Sequence, residues 1–286
     1  PITWGDIAGL ARTKREIQAA IALAMAAPPQ GVKVRSNRNI LFYGPPGTGK
    51  TLLAAATSNG LEAAFFSVKV SSLLSKYFGE SSKLVSALFA EARRRTPSVV
   101  FFDEIESLVP SRSEGRADGS EMRILSTFLA ELDGLASKGS RDFLLTTAAT
   151  NLPWMLDEAI LSRFGKLIYV PLPDEQTRES IFDLQLRKNG YELGGISKAD
   201  LVLWSEGYSG RDIEKVCIEA IERMLSDTNR AVVDAAGQGT VALRSQQLTV
   251  RPIQGAEFEE AFAKIRPKTS REMLERYETW AQGLDS

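Results

Sequence analysis

The chain contains no histidine. That excludes Ser-His-Asp and Cys-His triads, histidine-ligated metals and any histidine pH switch. A single cysteine, Cys217, excludes disulfides within the chain and thiolate metal clusters. It fits a reducing compartment, and the expected location is cytoplasmic. Neither sign of charge is in excess: 35 Lys and Arg residues face 36 Asp and Glu, so no global field argues for nucleic acid or a membrane surface. Long hydrophobic runs are missing too. The longest, residues 19–27, stops at Pro28-Pro29 and is too short to span a bilayer; no secretory leader is expected. Chemistry here must come from carboxylates, lysine, arginine, hydroxyls or a bound ligand.

What is present is an ordinary globular composition, 43% hydrophobic and 25% charged over 286 residues, enough for about two domains. Short β-branched or aromatic runs at 39–43, 64–68, 98–102, 143–149 and 167–170 predict strands. Most are continuously apolar, as strands buried on both faces of a parallel sheet are. Between them, Leu84, Val85, Leu88, Phe89 and Ala92 recur at helical spacing, and so do Ile124, Leu125, Phe128, Leu129 and Leu132. The fold class expected is α/β, a parallel sheet flanked by helices. The pattern changes at Pro171-Leu172-Pro173. Beyond it, helical patterns at 174–188, 198–206, 210–226, 255–265 and 270–282 predict a smaller helical domain. Residues 227–250, richer in Gly, Gln and Ser, are expected to form a loop with a short strand or hairpin. The organisation expected is 1–171 as the larger domain and 172–286 as the helical one, the last helix included.

Chemistry concentrates first in Gly44-Pro45-Pro46-Gly47-Thr48-Gly49-Lys50-Thr51, followed by Leu52. The run fits G-x-x-x-x-G-K-[ST] between a predicted strand and a predicted helix. Glycines let backbone N–H groups curl around phosphate oxygens, and the helix N-terminus adds its positive dipole end. Lys50 can reach the β- and γ-phosphates, and the Thr51 hydroxyl can bind Mg²⁺. These residues predict a nucleotide site. Fifty-three residues after Lys50, the apolar run Val99-Val100-Phe101-Phe102 ends in Asp103-Glu104. Acids at the carboxyl edge of such a sheet lie where ligands bind. Asp103 is expected to hold the Mg²⁺ shell and Glu104 to polarise the attacking water as general base.

Four pieces, Trp4-Gly5-Asp6-Ile7-Ala8-Gly9-Leu10, the phosphate loop, the strand ending in Asp103-Glu104, and Ala148-Ala149-Thr150-Asn151, resemble the AAA+ ATPases, in the AAA branch. The resemblance runs across nearly the whole chain. It implies a P-loop NTPase domain followed by a small helical lid, and a homo-oligomeric ring, usually of six subunits, with ATP bound between neighbours. It implies that Asp6, Ile7, Ala8 and Gly9 lie near the adenine, and that Asn151 is the sensor 1 residue beside the γ-phosphate. Ser162-Arg163-Phe164 resembles the arginine-finger segment, where an Arg-Arg-Phe run often stands. Arg163 is then the candidate finger for a neighbour's γ-phosphate; as a residue alone it reads equally as a helix-end ion-pair partner. Gly210 and Arg211 resemble the start of the lid helix near the nucleotide, where Arg211 is either a sensor 2 arginine or a solvated helix-start residue.

Lys76, Tyr77 and Phe78 resemble pore loop 1 of related AAA proteins, whose aromatics grip an extended polypeptide. The residues by themselves equally describe aromatics stapling a loop to its own core. Arg112 and Arg116 lie in a polar segment resembling pore loop 2. The helix containing Tyr277-Glu278-Thr279-Trp280 resembles the C-terminal helix of the meiotic clade, which holds katanin, spastin, fidgetin and the ATPases that dismantle endosomal-sorting filaments. The function implied is Mg²⁺-dependent ATP hydrolysis by a ring, promoted by ATP, that threads a protein substrate to disassemble, sever or unfold complexes. Two alternatives stand beside it: an ATP-gated assembly scaffold with weak hydrolysis, or a nucleic-acid motor. The balanced charge disfavours the second. A substrate-selecting module is expected ahead of Pro1 or on a partner.

Overall fold

Five strands, β1 (Asn39–Tyr43), β2 (Ala64–Lys69), β3 (Ser98–Asp103), β4 (Leu144–Thr150) and β5 (Lys166–Tyr169), make one parallel sheet in the order β2-β3-β4-β1-β5. The computed structural model describes residues 1–26, 38–76, 80–109, 119–137 and 143–284. The central strands are buried along their lengths because both faces are covered. β2, at one edge, alternates instead: Phe65, Ser67 and Lys69 point outward and are exposed.

Helices α1 (Ala11–Met25), α2 (Lys50–Gly60), α3 (Val70–Lys76), α4 (Ser81–Arg94), α5 (Gly119–Ser137) and α6 (Glu158–Leu161) precede or connect the strands. Successive strand residues face opposite sides, so the sheet separates two apolar cores. Leu41, Val100, Phe102 and Ala148 meet Phe89 of α4 and Phe128 of α5 on one face. Ile40, Phe42, Phe101 and Leu145 meet Ile17 and Ile21 of α1 and Leu53 of α2 on the other. Each such fully buried Phe or Leu contributes about 1.5–3 kcal/mol, and this fastens the strand ends from which the candidate site projects.

The chain forms two compact units, Pro1–Pro171 with Glu272–Ser286, and Leu172–Arg271. The second unit is helical: α7 (Glu175–Asn189), α8 (Lys198–Trp204), α9 (Gly210–Thr228), α10 (Arg230–Asp234), α11 (Thr240–Arg244) and α12 (Gly255–Lys264). Three of its helices, α7, α8 and α9, start on side-chain caps: Asp174 accepts from the Thr177 N–H at 2.8 Å, and Ser197–Asp200 and Ser209–Asp212 form capping boxes. Phe182, Ile213, Val216, Phe258 and Phe262 fill its core together with Cys217. Burial pushes the Cys217 thiol up to about 12, which leaves it inert as a nucleophile.

Two expectations need correction. Residues 227–250 form no hairpin; they contain α10, a short 3-10 turn and α11. The reason is visible at Asn229, whose side chain accepts from the Thr249 N–H at 2.7 Å and donates to the Thr249 carbonyl at 2.9 Å. One amide side chain thereby satisfies the backbone groups a partner strand would have taken. The last helix, α13 (Arg271–Leu284), was expected with the helical domain but groups with the sheet. Its aromatic face, Tyr277 and Trp280, packs against Tyr43, Trp154 and Tyr169. No helix among the described residues is long and apolar enough to cross a membrane.

Candidate nucleotide site

Strand order places the candidate site. β3, β4 and β1 are neighbours, so Asp103 at the end of β3, Asn151 just past β4 and the loop after β1 emerge side by side at the carboxyl edge. Gly44 opens that loop at φ +142°, and a Cβ there would stand 2.3 Å from the Val170 carbonyl oxygen, so no other residue fits. Gly49 caps α2 at φ +96°, a conformation strained for any residue with a side chain. Between them, the Thr48 hydroxyl donates to the Pro45 carbonyl at 2.9 Å. The buried Lys50 ammonium donates to the carbonyls of Gly44 at 2.9 Å and Pro45 at 2.7 Å. Thr51 and Leu52 are exposed on the first turn of α2.

The Thr51 hydroxyl donates to the Asp103 carboxylate at 3.5 Å. Two hard oxygen donors this close, and no denser carboxylate cage among the described residues, suit Mg²⁺, which takes one or two protein oxygens when substrate phosphates supply the rest. Asp103 also accepts from the Glu104 N–H at 3.0 Å. Glu104 itself sits in the left-handed region, φ 55°, ψ 49°, at a cost of about 1–3 kcal/mol for a residue with a Cβ. Its carboxylate is engaged on both oxygens: Oε1 accepts from Lys69 Nζ at 2.8 Å and Oε2 from the Ser71 hydroxyl at 2.7 Å. The Lys69 hydrogen bond, then that of Ser71, holds the carboxyl below its ordinary value, against the raising effect of burial. Asn151 lies half-buried. Among the described residues its side-chain amide takes no hydrogen bond, while its backbone N–H points to Glu106 Oε1 at 3.4 Å.

Arg163 is elsewhere. Its backbone carbonyl accepts from the Asn39 side chain at 3.0 Å, at the start of β1, whereas the phosphate loop follows the end of β1. At about 3.3 Å per residue, the strand separates those ends by roughly 15 Å. Its guanidinium forks onto Asp133 of α5 through Nε and Nη2, both at 3.1 Å, and Nη1 donates to the Ala159 carbonyl and the Ser162 hydroxyl.

Residues 40–172 match the family described as "ATPase family associated with various cellular activities (AAA)". The whole chain is 36% identical, over 293 residues, to the katanin p60 ATPase-containing subunit A1 of Arabidopsis thaliana, of which it spans 55%. The crystal structure of the FIGL-1 AAA domain in complex with ADP is 33% identical, with a TM-score of 0.81 over 99% of this chain and 91% of that one. The chain belongs to the AAA family of ATPases. A katanin structure that describes the basis of katanin self-assembly is similar at 30% identity and TM-score 0.79, over 98% of this chain and 91% of that one. The AAA module spans between a third and about half of the curated relatives it matches.

Within the AAA module, Asp6 is spent on a capping box, accepting from the Thr3 N–H at 2.7 Å and the Thr3 hydroxyl at 2.8 Å. Ile7 is buried in the core beneath α2, and its carbonyl, with that of Trp4, accepts from the Lys14 ammonium. Ala8 and Gly9 follow at the edge of that core, half-buried. Gly210 and an exposed Arg211 open α9 in the second unit. Tyr77 and Phe78, the Lys76 side chain, and Arg112 and Arg116 lie outside the described residues.

Lys69, Ser71 and Asp133 were not anticipated. For Lys69 a signal existed: it ends β2 in register with Asp103 of β3, and sequential strands are often neighbours. A basic strand end beside an acidic one is a pair waiting to be read. Nothing local marks Asp133 on α5. Replacing Lys69 by Met removes the strongest influence lowering the Glu104 carboxyl. With Glu104 as the general base expected from the sequence, a group that must be ionised to work, the acid limb of the kcat/KM profile for ATP moves to higher pH in the variant. A limb that stays at the wild-type pH would show that Lys69 does not govern this base.

Proposed function

We propose that this AAA module hydrolyses ATP at the interfaces of a ring of its own copies, six by resemblance, and uses turnover to pull a polypeptide segment through the central channel. The observation that carries hydrolysis is the adjacency of β3, β4 and β1, which brings Lys50, Asp103-Glu104 and Asn151 to one edge. Phosphates bearing full charge outcompete the carbonyls of Gly44 and Pro45 for the Lys50 ammonium. Glu104, ionised, takes the proton of the attacking water. Asn151 fixes the γ-phosphate and the water with its amide. Thr51 and Asp103 would hold Mg²⁺, which neutralises charge on the phosphates when bound.

Support for a composite site comes from Arg163, whose backbone pairs at the opposite end of β1 from the phosphate loop. An arginine side chain does not span that gap, so its transition-state role is exercised on a neighbour. Six-fold closure and threading rest on the family resemblance and on Lys76, Tyr77 and Phe78; the cytoplasm remains the proposed location. The self-assembly described for katanin is in keeping with the ring.

The test is ATP hydrolysis per subunit across a protein concentration series, with sedimentation of the same samples. Specific activity climbs steeply as oligomers form, and an unfolded polypeptide stimulates it further. In Tyr77→Ala the basal rate survives and the stimulation is lost. Full activity in samples sedimenting as monomers, or stimulation by single-stranded DNA but not polypeptide, would overturn the reading.

A further inference from the structure

The last helix returns to the nucleotide edge from the far end of the sequence. Tyr277, 1% exposed, donates its hydroxyl to the backbone carbonyl of Asn151. Its ring lies 5.1 Å from that of Trp154 and 6.0 Å from that of Tyr169. Beside it, the Arg276 guanidinium sits 4.0 Å over the Trp154 ring. About one turn later, Trp280 meets Tyr43 edge-on at 4.8 Å; Tyr43 immediately precedes Gly44. One helix face thus touches the ends of both β1 and β4, the strands that deliver the phosphate loop and Asn151.

On its other side, the Asn151 N–H faces Glu106, two residues beyond Glu104. Both peptide groups of Asn151 are therefore tied to side chains from other parts of the fold. Burial pushes the Tyr277 phenol up, with Tyr169 and Glu106 adding to the rise, so it stays a proton donor at working pH.

We infer that Tyr277 is a positioning residue for hydrolysis: its hydroxyl fixes the peptide group following the Asn151 Cα, and so the direction in which the Asn151 amide projects. The inference rests on the proposed contact of Asn151 with the γ-phosphate. α13 then acts on the rate without touching nucleotide. A carbonyl left without its donor can rotate, and the side chain on the same residue loses its bearing on a transferring group, where a misplacement of an ångström is costly. Nucleotide affinity, set largely by the phosphate loop, is left alone.

The experiment is a cycle of Tyr277→Phe, Asn151→Ala and the double variant, at a protein concentration that saturates assembly. It reads kcat, KM, ADP affinity and the thermal midpoint. Phe keeps the buried ring and removes only the hydroxyl. In Tyr277→Phe, kcat falls roughly three- to ten-fold, the size of one neutral hydrogen bond, with ADP affinity within about twofold of wild type. Asn151→Ala loses more, and adding Tyr277→Phe to it costs nothing further, because the two act through one group. A wild-type kcat in Tyr277→Phe beside an impaired Asn151→Ala overturns this inference and leaves the role of Asn151 intact. Additive losses also overturn it, since Tyr277 would then act elsewhere. Weakened ADP binding in Tyr277→Phe, or melting earlier than the loss of one buried hydrogen bond explains, makes α13 a structural brace only, which overturns it too. A wild-type kcat in Asn151→Ala removes the reading of Asn151 itself.

Discussion

A Glu104→Gln variant turns ATP over roughly 10²–10⁴-fold more slowly than wild type, the contribution of a positioned general base, and still binds nucleotide. Gln matches Glu in shape and keeps one acceptor oxygen for Lys69 or Ser71, so the left-handed turn at Glu104 has no new reason to rearrange. What it cannot do is accept a proton from water. Binding survives because the phosphate contacts come from a different element, the loop between Gly44 and Thr51. Single-turnover hydrolysis beside equilibrium binding of a fluorescent ADP separates the two. Undiminished turnover would remove Glu104 from the chemistry and, with it, the meaning given to the Lys69 ion pair.

The readable parts of this site are those whose chemistry is contiguous in the chain. The phosphate loop announces itself because Gly44 to Thr51 matches one contiguous motif, and Asp103-Glu104 because strand-end acids follow an apolar run. The continuous burial of β1, β3 and β4 was legible for the same reason: their composition is what two covered faces demand. Pairings across the fold were not legible. Ser71 meets Glu104 across 33 residues, Arg163 meets Asp133 across 30, and Tyr277 meets Asn151 across 126. No periodicity records such partners; they follow from strand order and helix docking. α13 makes the point sharply. Its pattern at 270–282 predicted a helix, yet a pattern says only that a face is covered. It does not name the surface, and the covering surface is the sheet unit rather than the helical one. At 227–250, glycine and glutamine suggested turns, and the side chain of Asn229 then replaced a strand partner that composition could not foresee.

Arg163→Ala is expected to be at least as inactive as Glu104→Gln, for a different reason. An arginine stabilising transition-state charge supplies about 10³–10⁵ in kcat, and under the proposed composite site the loss falls on the neighbour's site rather than on the variant's own. The ion pair with Asp133 is solvent-accessible on both sides, with side-chain exposures of 31% and 57%. Exposed pairs typically contribute about 0.2–1 kcal/mol to stability. Arg163→Ala therefore folds, binds ADP and fails to hydrolyse. Mixing decides the geometry. In a closed head-to-tail ring, equal parts of Arg163→Ala and Glu104→Gln place an intact Glu104 beside an intact Arg163 at about one interface in four. Two dead proteins then recover up to about a quarter of wild-type activity, provided each interface fires on its own; obligate firing in sequence around the ring holds the recovery lower. Recovery of any size requires that Glu104 and Arg163 of one site come from different chains. An active Arg163→Ala homomer would instead mean that each site is complete within its own subunit, and that the fork onto Asp133 is where this arginine does its work.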